Sequence, residues 1–389
     1  MEMESEKLVQ RFVEWVGKRP AVFSAPGRVN LIGEHTDYND GFVMPSAIGL
    51  VTRVAASARD DRRLVMRSGQ FSAECEFDVD HLPSVGTGQW CDYVVGVAVV
   101  LKENGHELRG ANLLVESEVP IGAGLSSSAA IEVACALALM GLNEIALPKV
   151  EVARLCQRSE NTFIGARVGI MDQFVSCLGR AGHALLLDCR SLEFELIPIP
   201  DRVRMVVCNT MVKHQHAGGE YNRRREECEE GVRILSKWYP EIRALRDVSA
   251  GQLGEHEKDI SDKIFRRCRH VVEENERVQE GARRLRAGDL NGFGALMRES
   301  HRSLRDLYEV SCGELDLMAE AAEGLPGYYG GRMTGGGFGG CTLNLVESSH
   351  ADAFVEAVAR RYQQATGIEP AVYICSAADG ATVEVNRAD

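Results

Sequence analysis

The segment VPIGAGLSSSAAIEVACALALMG (119–141) constrains this chain more than any other. A strand-like lead runs into Gly122 and Gly124, and Ser126, Ser127 and Ser128 then open a strongly helical, alanine-rich stretch. Glycines let the backbone approach a ligand closely, and the first helical turn offers unpaired N–H donors at the positive end of the helix dipole. Together these predict a phosphate cradle at a strand-to-helix junction. It is not a P-loop, because that pattern requires a lysine and none is present. A helix that only needed a cap would carry one serine, not three behind two glycines.

The rest of the chain sets the frame. At 389 residues it is long enough for two domains, each with its own core. The formal net charge of −13 argues against nucleic-acid or anionic-membrane partners, so an anionic ligand has to be held locally by amides, helix ends or a metal ion. The 12 cysteines are scattered with no CxxC pair, which argues against zinc and disulfides and for a reducing compartment. The acidic start MEMESEKLVQ is not a signal peptide. The longest apolar run, Ala129–Met140, contains Glu132 and is too short for a bilayer. A cytoplasmic location follows as the expectation.

Residues 5–17 predict an amphipathic helix capped by Ser5 and ended by Gly17. AVFSA, LVTRVAASA and RLVMRS predict strands of a meandering sheet, and HALLLDCRS and RMVVCNT predict strands near the middle. Mixed-charge helical segments open the second half, which closes as strand, helix and strand. These patterns predict an α+β fold in two intimate halves, residues 1–195 and 196–389.

Two further glycine clusters matter. GGRMTGGGFGGCTLNLV (330–346) contains G-x-G-x-x-G at Gly335, Gly337 and Gly340 but is followed by a strand pattern, so it is not a dinucleotide fingerprint. Its seven glycines between Gly330 and Gly340 still imply bare backbone beside a neighbour. In SAPGRVNLIGEHTDYNDG (24–41), Gly27, Gly33 and Gly41 bracket Arg28, Asn30, Glu34, His35, Asp37 and Asp40. Such short polar acceptors suit a polyhydroxylated ligand better than a metal. Finally, Asp172 sits in GIMDQF at a helix start, where burial and dipole compete over its ionisation, and Glu160 lies upstream in the same stretch.

These motifs, in this order, resemble those of the GHMP small-molecule kinases, and GRVNLIGEHTDYNDGFVMP resembles the signature of the galactokinase family. GIMDQF, LLLDCRSLEFELIPIP and EYNRRREECEEG are similar to further segments of that family, so the resemblance runs from about residue 20 to 346. It implies an N-terminal mixed-sheet domain and a C-terminal ferredoxin-like α/β domain with the active site between them. It also implies transfer of the ATP γ-phosphoryl group to the 1-hydroxyl of α-D-galactose by a monomer. By matching position, Asp172 and Arg28 would be the catalytic pair. Glu34, His35, Thr36, Asp37, Gly169 and Tyr221 would bind the sugar. Gly122, Ala123, Gly124, Leu125, Ser126, Ser127 and Ser128 would cradle the phosphates. Ser128 and Glu160 would ligate Mg2+, and Ser68 and Trp90 would lie near the adenine. The family more commonly has asparagine where Asp92 stands, so the resemblance leaves Asp92 without a role.

Two other readings compete with an active kinase. A sugar- and ATP-binding sensor on the same fold would be altered in the serine-rich motif, whereas GLSSSAA is intact here. A kinase for N-acetylgalactosamine, galacturonate or arabinose shares the motifs. A carboxylate sugar would want an added base, for which only His214 and His216 offer themselves, and they read better as loop histidines.

Overall fold

The computed structural model describes residues 2–71, 74–213 and 217–385, which leaves His214 and His216 outside the described residues. In chain order the strands of the first half are β1 (Ala21–Asn30), β2 (Phe42–Val43), β3 (Pro45–Arg59), β4 (Arg63–Ser68), β5 (Cys75–Asp78), β6 (Gly110–Ser117) and β7 (His183–Asp188). Those that follow are β8 (Phe194–Pro198), β9 (Val203–Lys213), β10 (Tyr328–Thr334), β11 (Gly339–Glu347), β12 (Ala371–Cys375) and β13 (Thr382–Val385). Six of them form one sheet in the order β13-β1-β3-β6-β4-β5. The expected meander is corrected here, because β4 pairs with β6 in parallel. The connection from β5 to β6 carries helix α2 (Asp92–Glu103), which lies over the sheet and makes the parallel crossover sterically possible.

Helix α1 (Glu2–Val16) begins before Ser5, so Ser5 is not its cap. The Ser5 hydroxyl instead donates to Glu384 of β13, whose carboxylate also accepts from Arg53 Nε at 3.1 Å. A polar knot of this kind fastens the last strand to the first sheet. The end at Gly17 is as expected, with φ +75 and its N–H donated to Val13.

The alanine-rich segment is helix α3 (Ser127–Leu142), and its Ala129, Ala130, Val133, Ala134 and Ala138 are all buried. It packs on β1 and β3 below and is flanked by α2, α4 (Lys149–Ser159) and α5 (Met171–Leu178). Small side chains allow that close approach on several sides at once.

In the second half the sheet order is β10-β11-β9-β12, antiparallel throughout, with α6 (Ala217–Leu235) and further helices between β9 and β10 and helix Ala351–Thr366 between β11 and β12. This is the ferredoxin-like βαββαβ arrangement. The third sheet, β2-β7-β8, draws β2 from between β1 and β3 and β7 and β8 from between β6 and β9, and a boundary between 195 and 196 falls inside β8. The core does not stop there: Val29, Leu31, Ile32 and Met44 share one cluster with Met205, Val207, Val278, Phe293 and Leu343. No described helix is long and apolar enough to cross a membrane.

Candidate active site

The site forms where the three glycine clusters meet. In β1 the register against β3 shifts between Pro26 and Arg28, and such a bulge re-aims the side chain that follows. A Cβ on Gly27 would stand 2.6 Å from the Leu125 carbonyl, so only glycine lets β1 pass under the 122–126 loop. Arg28 N–H then donates to that same carbonyl at 3.0 Å. Within the loop, Ala123 and Leu125 bury their side chains in the core, leaving the backbone to face outward. The third cluster lies directly against this loop: a Cβ on Gly335 (φ +88) would meet the Gly124 carbonyl at 2.9 Å. Gly335, and Gly340, whose Cβ would meet the Ala123 carbonyl at 3.1 Å, let the two backbones touch.

Arg28, almost fully buried, grips Asp172 in a two-pronged contact, with Nε to Oδ1 and Nη2 to Oδ2 both at 2.8 Å. Its remaining nitrogen, Nη1, donates to the Gly124 carbonyl at 2.6 Å. One guanidinium thus ties the acid on α5 to the backbone of the 122–126 loop. Ser126, held at φ +59, makes no helix-capping bond and turns its hydroxyl to Asp172 Oδ2. Asp172 keeps 27% of its side chain exposed, so the carboxylate faces the cleft while its charge is held from behind.

Beside it, Ser128 on the first turn of α3 hydrogen-bonds the Glu160 side chain, and Gln173 Nε2 donates to Glu160 Oε2 at 2.6 Å. Burial, reinforced by the like charge of Asp172, pushes the Glu160 carboxyl up to about 7. A hydroxyl and a carboxylate in a site of excess negative charge are hard oxygen donors that fit Mg2+. No group of three His, Cys, Asp or Glu among the described residues could hold a metal alone, so an ion there would have to share its coordination with phosphate oxygens and water.

Next to Ser127 and Ser128 opens a cavity of about 280 Å³, lined among others by Ser68, Phe71, Trp90, Tyr93 and Ile131. Trp90 stacks flat on Phe71, with rings 6.1 Å apart and 3° between planes, and its indole N–H has no partner among the described residues. Asp92 receives its role here. Its Oδ2 accepts the backbone N–H groups of Thr87 and Gly88 at 2.6 Å and of Gln89 at 3.1 Å, and so fixes the turn that presents Trp90.

The opening signature folds into a loop between β1 and β2 and divides into frame and face. The Thr36 side chain belongs to the frame. Fully buried, its hydroxyl is taken up by the carbonyls of Gly33 and Phe42 at 2.8 and 2.7 Å. Glu34 commits Oε1 to Gly335 N–H at 2.7 Å and to Thr334 at 3.2 Å, joining the first motif to the third. His35 adopts φ +63 and receives or gives a 2.8 Å hydrogen bond at Nδ1 with Tyr38, beyond which Tyr38, Tyr308 and Cys228 form a buried relay. Burial holds its imidazole neutral, well below the usual histidine range. The Tyr221 ring lies 5.5 Å from His35. Asp37 faces Gly169, on which a Cβ would stand 2.0 Å from Asp37 Oδ2. Burial, then the like charges of Asp172 and Glu34, push the Asp37 carboxyl up to about 7.

Sequence reasoning missed what clamps this loop. Helix Asp262–Arg286 presents His270, Glu274 and Asn275 on one face: His270 Nε2 meets the Glu34 carbonyl at 3.1 Å, Glu274 accepts Gly33 N–H at 2.9 Å, and Asn275 accepts Phe42 N–H at 2.8 Å. The available signal was His270, Glu274 and Arg277 at one-turn spacing within a segment that reads as a mixed-charge helix.

This geometry of a glycine–serine loop, an arginine-held acid and a second glycine turn agrees with the comparisons. Residues 92–180 match the GHMP kinases N terminal domain and 282–364 the GHMP kinases C terminal, so the fold and site define a GHMP kinase. Residues 10–58 match the galactokinase galactose-binding signature. The chain is 48% identical to galactokinase of Roseiflexus sp. (strain RS-1) and 49% identical to that of Chloroflexus aggregans, covering 97% of itself and 97% of each relative. The chain belongs to the galactokinase family. It is also similar to the crystal structure of Lactococcus lactis galactokinase complexed with galactose, with a TM-score of 0.93, 36% identity and coverage of 97% of this chain and 99% of that one. Methanococcus jannaschii mevalonate kinase, 16% identical with a TM-score of 0.67, shares the fold.

Proposed function

We propose that the chain transfers the γ-phosphoryl group of ATP to the anomeric 1-hydroxyl of α-D-galactose, with Asp172 taking the hydroxyl proton. The observation that carries this reading is the fork from Arg28 to Asp172, with the third guanidinium nitrogen on the phosphate loop. Phosphoryl transfer asks a protein mainly to align donor and acceptor and to neutralise charge. Arg28 does both here. Its two-pronged contact orients the Asp172 carboxylate, and its anchorage to Gly124 sets the distance between the base and the phosphates. The 1-hydroxyl oxygen attacks the γ-phosphorus as its proton passes to Asp172, and ADP leaves along the 122–128 loop.

Gly122, Ala123, Gly124, Leu125, Ser126, Ser127 and Ser128 hold the phosphates through backbone amides and the α3 N-terminus. Ser68 and Trp90 flank the adenine. Ser128 and Glu160 would hold Mg2+, which supplies charge neutralisation between phosphate oxygens when bound. Glu34, His35, Asp37, Gly169 and Tyr221 shape the sugar pocket, with Thr36 as its internal strut. In this reading residues 1–195 carry the sugar signature, phosphate loop and base, and residues 196–389 add Tyr221 and the third glycine motif. The protein acts as a cytoplasmic monomer; the free, mostly buried cysteines support a reducing compartment.

The test is ADP release from ATP and Mg2+ over a panel of free monosaccharides, with the sugar product identified by phosphorus NMR. Galactose turning over well and glucose poorly supports the reading, since a pocket built to hydrogen-bond the 4-hydroxyl rejects its inversion. Equal turnover of glucose, or preference for galacturonate or N-acetylgalactosamine, overturns it.

A further inference from the structure

Beyond its two opening serines, α3 carries a single polar residue, Glu132. Glu132 has no solvent exposure, sits one turn beyond Ser128, and is surrounded by buried alanines, valines and cysteines. Isolated burial of a carboxyl in such a place is costly, and hydrogen bonding must offset it. Among the described residues only Oε2 has a hydrogen-bond partner, Gln173 Nε2 at 3.2 Å. Glu132 Oε1 and Gln173 Oε1 have no partner among the described residues.

Gln173 is itself fully buried and follows Asp172 on α5. Its amide nitrogen has two hydrogens, and both are committed, one to Glu132 Oε2 at 3.2 Å and one to Glu160 Oε2 at 2.6 Å. A primary amide can turn over by half a rotation, exchanging its NH2 for its oxygen. With Glu132 in place, turning over would set the amide oxygen against two carboxyl groups and lose both bonds. Without Glu132, one of the two acceptors that hold the amide's orientation is gone.

We propose that Glu132 is a positioning residue for the Glu160 carboxylate, acting through the Gln173 carboxamide. It touches neither substrate nor the reacting atoms. Glu132 fixes which end of the amide faces Glu160, and the amide in turn holds Glu160 in the rotamer that meets the Ser128 hydroxyl. Burial and the neighbouring Glu160 also raise the Glu132 carboxyl well above its ordinary range, consistent with a group that serves by hydrogen bonding. The proposal rests on Ser128 and Glu160 being the Mg2+ ligands. Partners at one remove from a ligand typically alter metal affinity 10–100-fold when lost.

The experiment is calorimetric titration of the intact protein with ADP at a series of MgCl2 concentrations, together with galactose binding. Glu132→Leu is expected to raise the Mg2+ midpoint for ADP binding roughly tenfold or more, with Mg2+-free ADP affinity and galactose affinity unchanged. Glu132→Gln keeps an acceptor oxygen for the same Gln173 N–H and an amide nitrogen for its free oxygen, so it should restore the wild-type midpoint. Gln173→Leu should reproduce the shift, and it carries the test alone if Glu132→Leu fails to fold. The double variant should shift no further than either single one. A wild-type midpoint in Glu132→Leu or Gln173→Leu overturns the proposal. So does Glu132→Gln behaving as Glu132→Leu, which would mean that charge itself is needed. Glu160→Gln separates the two levels: if it leaves the Mg2+ dependence intact, the metal-site reading fails, and if it abolishes that dependence while Glu132→Leu does not, only this inference fails.

Discussion

Gly169→Ala isolates the sugar pocket with a single methyl group. Gly169 does not have a positive φ, so alanine meets no backbone penalty there. The new Cβ would stand 2.0 Å from Asp37 Oδ2, 2.2 Å from its Cγ and 2.8 Å from its Cβ. Ordinary carbon–oxygen contact needs well over 3 Å, so the Asp37 carboxylate has to swing away by more than about 1 Å. A hydrogen bond to a charged group is worth about 1.5–3 kcal/mol, and about 1.4 kcal/mol is a factor of ten. The KM for galactose should therefore rise roughly ten- to hundredfold, while the KM for ATP stays near wild type because the phosphate loop is on another segment. Steady-state kinetics with each substrate varied in turn gives both numbers. Gly49→Ala is the control, since a Cβ there meets nothing within 4 Å. Asp37→Ala should match Gly169→Ala, and adding one to the other should cost little more, because both remove the same carboxylate. An unchanged galactose KM in Gly169→Ala, or a loss confined to ATP, would refute the placement of Asp37 in the sugar pocket.

Asp172→Asn should lower kcat by roughly 10²–10⁴-fold or more with the fold intact, read by pre-steady-state ADP release and circular dichroism; a near-normal kcat removes Asp172 as the base. Thr36→Val should destabilise the protein by about 1–3 kcal/mol in urea unfolding, because two buried carbonyls lose their donor; a raised galactose KM with unchanged stability would instead make Thr36 a sugar ligand. Asp37 also sets a pH signature. Its folded carboxyl is raised from 3.8 to about 7, so the folded state holds a proton that the unfolded state has already lost, and stability falls as pH rises between those values. Asp37→Asn should reduce the fall in melting temperature of the ligand-free protein across that window, leaving the part due to Glu160, and an identical pH slope in the two proteins would count against the raised value.

Local pattern was enough for much of the architecture. Strand and helix periods, the end of α1 at Gly17 and the strand after the third glycine cluster are properties of short segments, and each is legible one segment at a time. The strand-to-helix turn from Gly122 to Ser128 was legible for the same reason, since it is one continuous piece of chain that runs into α3. What escaped was anything that depends on which distant surfaces meet. Ser5 reads as a cap, but its hydroxyl is claimed by Glu384 from the other end of the chain. The helix Asp262–Arg286 reads only as a mixed-charge helix, yet His270, Glu274 and Asn275 satisfy backbone groups of the loop between β1 and β2. Thr36 and Asp37 are adjacent, and composition treats them alike. Only tertiary structure turns the threonine inward to carbonyls and the aspartate toward Gly169. The physical reason is common to these cases. Hydrophobic periodicity records how much of an element is buried, whereas the partner of a buried polar group is set by the three-dimensional approach of segments far apart in sequence.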